Sequence, residues 1–569
     1  MSDTLSDGDL PLQRIYHWEK ERGDKPFLTQ PHTGGQLHEW TWAQAVNESR
    51  RMAAYLQQQD WEPGSRIVIL SRNCAWWIMA EMAVWMAGFV TVPIYPSLLS
   101  ASVRELLNHC EPKALFIGAV DDREAMRGGI PPGIQCIRFP TAPAAEDPTA
   151  AGADLNWSDI VAQHPPLKSN PIRSAEDLAT IIYTSGTTGT PKGVMHPFRT
   201  FAHMGRDIAQ LGGFTSEERI FSYLPLAHIA ERGIVEALGL HVGFQVFFGD
   251  SLETFVADLQ RARPTLFFSV PRLYMRFRQG VLAKVPQQKL NRLLRIPVVK
   301  RIVQKKILRE LGLDKVRFAA SGAAPLATEI LTWYRKLGLD LIEGYGLTET
   351  GITHAPPPGS FQLGYVGPAL QSVEVRIGSD GEVLMRSEMN MIGYLKDPLG
   401  TAACFTDDGF FRTGDLGEMN ADGQLKIIGR LKESFKTSKG KYVAPVPIEK
   451  LLSAHPAIEA SCVMGSGRVH PFAVAVLAPD YEKLAADPAQ RRAIEQTLAE
   501  SLMQANATLD PHERLAFLAL VKGPWNMASA LVTPTLKIKR AAVEARYARF
   551  VEDWEQQASS IVWPQGRQD

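Results

Sequence analysis

Short apolar runs alternate with helix-spaced apolar positions from about Leu28 to Ile137. Arg66-Ile-Val-Ile-Leu and Ala114-Leu-Phe-Ile-Gly read as buried strands, and the helical pattern from Trp76 to Ala87 fits a βαβ crossover. The stretch Trp76 to Tyr95 is apolar enough to suggest a membrane span. Against that, Glu81 sits inside it, Gly88 interrupts it, and Val90-Thr-Val-Pro-Ile-Tyr-Pro reads as a strand that stops at prolines. An unpaired acid is costly in lipid, so a buried helix followed by a core strand is the expectation. The Ala-, Pro- and Asp-rich segment 139–154 predicts a surface loop.

Further along, strand-like runs occur at Ala179-Thr-Ile-Ile-Tyr-Thr, Arg219-Ile-Phe-Ser-Tyr-Leu, Gln245-Val-Phe-Phe, Thr265-Leu-Phe-Phe-Ser-Val and Val316-Arg-Phe-Ala-Ala-Ser. Helical stretches separate several of them, which predicts parallel sheets flanked by helices. Between Val373 and Ile428 the strands become short and alternating with Gly or Asp-Gly turns, which predicts a small antiparallel β unit. Beyond Arg430 the texture changes to a compact α+β pattern. The expected fold class is therefore α/β. A large N-terminal domain (1–431) of helix-flanked sheets plus the antiparallel unit precedes a small α+β C-terminal domain (432–569). No internal repeat is visible.

The chain's 569 residues provide ample apolar material for a large core, and 45% hydrophobic with 21% charged residues excludes a disordered chain. Lys+Arg and Asp+Glu both number 61, so no whole-chain basic field for nucleic acid exists. Five scattered Cys with no CxxC suggest neither a disulfide framework nor a zinc ribbon. The amino terminus lacks the basic and apolar regions of a signal peptide, so a cytoplasmic protein is expected. One local departure from neutrality is Lys289–Arg309, with eight basic residues and no acid, divided by Pro297. It reads either as a solvated helix face or as a peripheral contact with the anionic inner membrane surface.

The strongest chemical signal is Tyr183-Thr-Ser-Gly-Thr-Thr-Gly-Thr-Pro-Lys-Gly-Val-Met-His196. It follows a buried strand, and small and hydroxyl residues there let backbone N–H groups approach phosphate oxygens closely, with Lys192 adding charge. Pro191 and the spacing exclude the P-loop pattern. A flexible Ser/Thr/Gly turn is the chemically inert alternative. HExxH, GxSxG and GxGxxG are absent from suitable contexts, so zincin, α/β-hydrolase and dinucleotide-dehydrogenase chemistry lack support.

This segment resembles the phosphate loop of the adenylate-forming enzymes, which include acyl-CoA synthetases, luciferases and peptide-synthetase adenylation domains. Other matches follow in the family's order. Ser321-Gly-Ala-Ala-Pro-Leu resembles the adenine-side loop, and Gly344-Tyr-Gly-Leu-Thr-Glu-Thr350 the motif whose Tyr stacks on adenine and whose Glu holds Mg²⁺. Phe411-Arg-Thr-Gly-Asp-Leu-Gly417 resembles the ribose motif, Ile428-Gly-Arg-Leu-Lys-Glu-Ser-Phe-Lys436 the hinge, and Pro534-Thr-Leu-Lys-Ile-Lys-Arg540 the C-terminal lysine motif. Leu224-Pro-Leu-Ala-His-Ile-Ala-Glu231 and Ser438-Lys-Gly-Lys-Tyr-Val-Ala-Pro resemble segments of long-chain fatty acyl-CoA synthetases.

The resemblance implies an ATP-dependent acid–thiol ligase with a mobile lid, using ATP, Mg²⁺ and coenzyme A. It implies catalytic roles for Lys537, Glu349 and Lys192. Nucleotide contacts would come from Thr184, Ser185, Gly186, Thr187, Thr188, Gly189, Thr190, Gly322, Ala323, Ala324, Gly344, Tyr345, Gly346, Thr348, Asp415 and Arg430. Glu349 and Thr184 would be metal ligands. His228 and Gly440 would line the acyl and pantetheine paths, and Lys432 would be the pivot. Leu536 stands where many relatives have Gly, which leaves Lys539 competing with Lys537. Delivery of the acyl group to a carrier protein, and a non-catalytic fatty-acid or nucleotide binder, are the alternatives.

Overall fold

The computed structural model describes residues 5–32, 35–121, 126–142, 155–185, 191–526, 529–533 and 537–564. Two large sheets organise the first four hundred or so residues. One has eight strands in the order Gly393–Tyr394, Pro191–Pro197, Leu178–Ser185, Val90–Ile94, Arg66–Leu70, Ala114–Ile117, Gln135–Arg138 and Leu155–Asn156. From Leu178–Ser185 onward every pair is parallel. The other has seven strands, from Leu341–Glu343 through Phe318–Ser321, Leu266–Ser269, Arg219–Ser222, Gln245–Phe248 and Pro26–Pro31 to Leu37–Thr41, antiparallel only at the last pair.

The helix Ala75–Met86 buries all its residues, which is why its sequence shows no polar face. The strand Val90–Ile94 follows it, as the proline-terminated run predicts. Glu81 lies fully buried in this helix and accepts from Arg232 at 2.6 Å and from the Thr91 hydroxyl at 2.5 Å. Arg232 also pairs with buried Glu236 at 3.0 Å and lies over the rings of Trp77 and Phe201. Burial pushes the Glu236 carboxyl well above the usual carboxylate range, with Arg232 acting in the opposite sense.

Two sequence expectations change. The segment after the glycine/hydroxyl turn is a return strand, Pro191–Pro197, paired antiparallel with Leu178–Ser185 so that Thr184 faces Lys192 and Ser185 faces Pro191. Phe139, expected in a surface loop, is 1% exposed and stacks on Phe116 in the core. Residues 143–154 of that loop lie outside the described residues.

A four-stranded antiparallel sheet (Val373–Ile377, Glu382–Ser387, Phe411–Met419, Leu425–Arg430) precedes a turn at 431–434. The remaining chain builds a separate four-stranded sheet (Ile458–Met464, Phe472–Leu477, Leu518–Val521, Ile561–Val562) with its own apolar clusters on both faces. All five cysteines are free.

Candidate active site

The strands Leu178–Ser185 and Pro191–Pro197 on either side of the glycine/hydroxyl motif pair antiparallel. Gly186, Thr187, Thr188, Gly189 and Thr190 lie outside the described residues. The pairing places Thr184 and Lys192 opposite each other. Lys192 Nζ sits 4.5 Å from the centre of the Tyr394 ring, and the Tyr394 hydroxyl donates to Glu349 Oε1 at 2.9 Å. Tyr394 had no sequence signature. It is brought in because Gly393–Tyr394 pairs with Met195 and Val194 on the return strand.

Glu349 occupies the turn of a second hairpin, Tyr345–Leu347 with Gly351–His354. The hairpin needs its glycines. A side chain at Gly346 would sit 2.1 Å from the Gly351 carbonyl, and Gly351 itself has φ +70°. Fully buried His196 pins the turn from below, its Nε2 at 2.7 Å from the Thr348 carbonyl. That nitrogen must carry the proton to donate, and burial holds the imidazole neutral, down at about 4. His196 closes the phosphate-loop segment in sequence, but its positioning role is visible only in three dimensions.

Gly344 donates to the Ser321 carbonyl at 2.9 Å, which sets the Tyr345 motif beside the loop Gly322-Ala323-Ala324. Ala323 holds φ +64°, an unfavourable backbone state for a residue with a Cβ. The Tyr345 hydroxyl donates to Asp415 Oδ2 at 2.6 Å, and Arg430 Nε lies 2.9 Å from Asp415 Oδ1. Asp415 and Arg430 face each other across neighbouring strands, so register alone creates the pair. Burial raises the Asp415 carboxyl despite Arg430, Tyr345 and Lys537, which act in the opposite sense.

From the C-terminal domain, Lys537 reaches this same cluster. Crowding around its ammonium, and then Arg430, lower its pKa, while Asp415, Glu349 and Glu433 pull it back up. Lys537 also bears on His228. Lys537 and Lys539 are both exposed, and the Lys539 N–H donates to the Leu531 carbonyl. His228 caps the short helix Ile229–Glu231, with Nδ1 accepting from the Ala230 N–H at 3.1 Å. Its Nε2 therefore carries the proton, and burial followed by Lys537 holds the ring neutral, at about 3. Three residues on, buried Glu231 accepts through Oε1 from the Ser222 hydroxyl, the Tyr223 N–H and the Asn73 amide. Burial outweighs these donors and lifts its carboxyl to about 8.

Two predicted residues stay outside the cluster. Lys432 is exposed in the turn 431–433 beside Arg430, and Gly440 (φ +75°) is the exposed tip of a lid hairpin that bonds to Thr437. The C-terminal domain touches the large domain elsewhere: Arg272 pairs with Glu459, the Gln279 amide donates to the Pro456 carbonyl at 3.2 Å, and Lys450 stands 3.8 Å from buried Glu343. Sequence reading missed all three contacts, since none carries a motif.

For Mg²⁺, the donors are hard oxygens, the Glu349 carboxylate and the Thr184 hydroxyl. No group of three His, Cys, Asp or Glu capable of holding a metal occurs among the described residues. One carboxylate suits an ion whose remaining ligands are phosphate oxygens and water, so the residues fit the group.

A family model described as AMP-binding enzyme matches residues 15–395, and one described as AMP-binding enzyme C-terminal domain matches 433–559. The chain belongs to the AMP-binding enzyme family. It is 30% identical to the long-chain-fatty-acid–CoA ligase FadD15 of Mycobacterium bovis over 94% of this chain and 95% of that protein. It is 27% identical to the human long-chain-fatty-acid–CoA ligase 1, over 96% and 88% respectively. Among solved structures, the adenylation domain of a Mycobacterium chelonae carboxylate reductase superposes with TM-score 0.80 at 23% identity, covering 97% of this chain and 92% of that one. The anthranilate–CoA ligase AuaEII with anthranoyl-AMP gives 0.76 at 20% identity, with 95% and 98% covered. These two likenesses establish the fold.

Proposed function

We propose that this chain is an AMP-forming acid–thiol ligase that activates long-chain fatty acids with ATP and passes the acyl group to coenzyme A. The reading is carried by the hydrogen-bonded cluster of Tyr345, Asp415 and Arg430 beside that of Tyr394 and Glu349, with Lys537 of the small domain near enough for their charges to act on it. The near-full-length likeness to long-chain-fatty-acid–CoA ligases supports the substrate class.

A carboxylate is a poor acyl donor because oxide is a poor leaving group. Attack of its oxygen on the α-phosphate of ATP forms acyl-AMP and expels pyrophosphate. Both reactants are anions, so positioning and positive charge must carry the catalysis. In our reading Asp415 and Arg430 hold the ribose hydroxyls, exchanging the Tyr345 hydroxyl for substrate, and the Gly344–Gly346 and Gly322–Ala324 segments bracket the adenine. The 184–190 tip and Lys192 grip the departing phosphates. Lys537 bridges carboxylate and α-phosphate, and the His228 Nε2–H donates toward the same carboxylate. Glu349 and Thr184 would hold Mg²⁺, which when bound would neutralise charge on the phosphates. The second half-reaction, thiolate attack on the acyl carbon with AMP leaving, requires Lys537 to withdraw. We assign this to rotation of 432–569 about Lys432, which brings the Gly440 turn to the pantetheine path.

The test is AMP release from a series of acids from acetate to long-chain and aromatic acids, with and without coenzyme A. Turnover that peaks with long chains and needs coenzyme A supports the reading. Product only with an acyl carrier protein, or no pyrophosphate exchange with any acid, refutes it.

A further inference from the structure

The basic segment 289–309 folds as two helices, Gln287–Leu293 and Pro297–Glu310. All eight of its cations, Lys289, Arg292, Arg295, Lys300, Arg301, Lys305, Lys306 and Arg309, are exposed, and none forms an ion pair among the described residues. That is unusual in a chain whose charges balance overall, because evenly mixed surfaces pair many of their cations.

The apolar residues between those charges run from buried to exposed, with Leu294, Val303 and Leu308 partly buried against the core. Leu290 and Ile307 are buried and tie the helices to the apolar cluster around Tyr274, Leu331 and Tyr334. Ile296, Val298 and Ile302 are instead 53%, 71% and 62% exposed. At 100° per residue, Val298, Arg301, Ile302, Lys305 and Arg309 fall in one stripe on the side of the helix opposite Ile307. A solvated helix face has no reason to carry two large aliphatic residues at its centre, four positions apart and ringed by unpaired cations.

The geometry points to a lipid-docking face: we propose that the outward stripe of Pro297–Glu310, with Ile296 and the preceding helix's cations, binds the surface of an anionic bilayer. Val298 and Ile302 would enter the headgroup–acyl boundary while Arg301, Lys305 and Arg309 meet lipid phosphates. Charge complementarity selects this occupant, since an apolar protein partner would not call for eight uncompensated cations and an acidic one would not call for the aliphatic centre. No helix among the described residues is long and apolar enough to cross a membrane, so the contact is peripheral. The inference stands apart from the ligase reading, because its readout is binding.

The full chain is sedimented with phosphatidylcholine vesicles and with vesicles containing about one-third phosphatidylglycerol, at low and high salt. Thermal melting serves as the fold control. We expect binding to the anionic vesicles only, weakened by salt. The double variant Arg301→Gln/Lys305→Gln should bind about 25-fold more weakly, at roughly fivefold per lost charge. Val298→Ser/Ile302→Ser should weaken binding at least fivefold with its charges intact. Equal sedimentation with both vesicle types overturns the proposal, as does unchanged binding of either folded variant. Retention on a soluble polyanion without vesicle binding also overturns it, and would assign the face to an acidic polypeptide.

Discussion

Replacing Lys537 by Ala tests the site where the two domains meet. Arg430 acts to lower the pKa of the ammonium, and Asp415, Glu349 and Glu433 act to raise it. Neutral His228 contributes no charge beside it. In the proposed mechanism Lys537 is the positive group that bridges the carboxylate and the α-phosphate. Loss of one preorganised donor at developing charge costs about 10²–10³ in rate, or about 2.7–4 kcal/mol. Lys537→Ala should therefore slow acid-dependent pyrophosphate exchange by that factor or more. Thioester formation from supplied acyl-adenylate should stay within about threefold, and Lys539→Ala should change neither. pH adds a second reading. Because the Lys537 pKa is depressed, its charge is lost at lower pH than an ordinary lysine's, so wild-type adenylation should fall as pH rises through that depressed value. Arg does not deprotonate, so the ratio of Lys537→Arg to wild type should climb over the same range. Equal loss in both half-reactions, or a larger effect from Lys539→Ala, would refute the reasoning.

Lys432→Pro should do the reverse, sparing pyrophosphate exchange and depressing thioester formation at least tenfold in single-turnover assays, because proline removes φ freedom at the pivot. Arg272→Ala removes the ion pair with Glu459, one of the contacts between the two domains. A pair with this degree of exposure contributes about 1 kcal/mol, so the lid equilibrium should move about fivefold, seen as slower adenylation with unimpaired thioester formation. Glu231→Gln should flatten part of the pH dependence of stability. With a folded-state pKa of about 8, the carboxyl is protonated when folded and ionised when unfolded at intermediate pH. Stability is then full below the unfolded value near 4.5 and falls as pH rises toward 8, by about 5 kcal/mol at most. Urea melts of both proteins at pH 5 and 8.5 measure it, and parallel losses would count against a buried neutral acid.

Most strands were legible because period-two alternation and continuous β-branched runs report burial directly, as in Arg66–Leu70 and Val373–Ile377. The return strand Pro191–Pro197 was not, because Gly193 and two prolines dilute the pattern and its partner strand supplies what propensity does not. Glu81 argued against a membrane span, but its partner Arg232 is 151 positions away, a pairing that one sequence does not disclose. The glycine/hydroxyl motif stands out by its own composition, whereas Asp415 and Lys537 are singled out only by the resemblance of their motifs to the adenylate-forming enzymes. Tyr394, His196 and the Arg272–Glu459 contact do not stand out, because each acts through a neighbour that only folding supplies.

The strand Gly393–Tyr394 also settles what can move when substrate arrives. The Ile392 and Leu395 amides donate to Met195 and Gly193, and the Met391 amide donates to the Glu349 carbonyl. The stem of the phosphate hairpin and the carboxylate turn are therefore rungs of one ladder, fastened on the same side of the cleft. Under the proposed rotation of 432–569 these two anchors keep their spacing, so the large domain would act as a fixed anvil against which Lys537 moves.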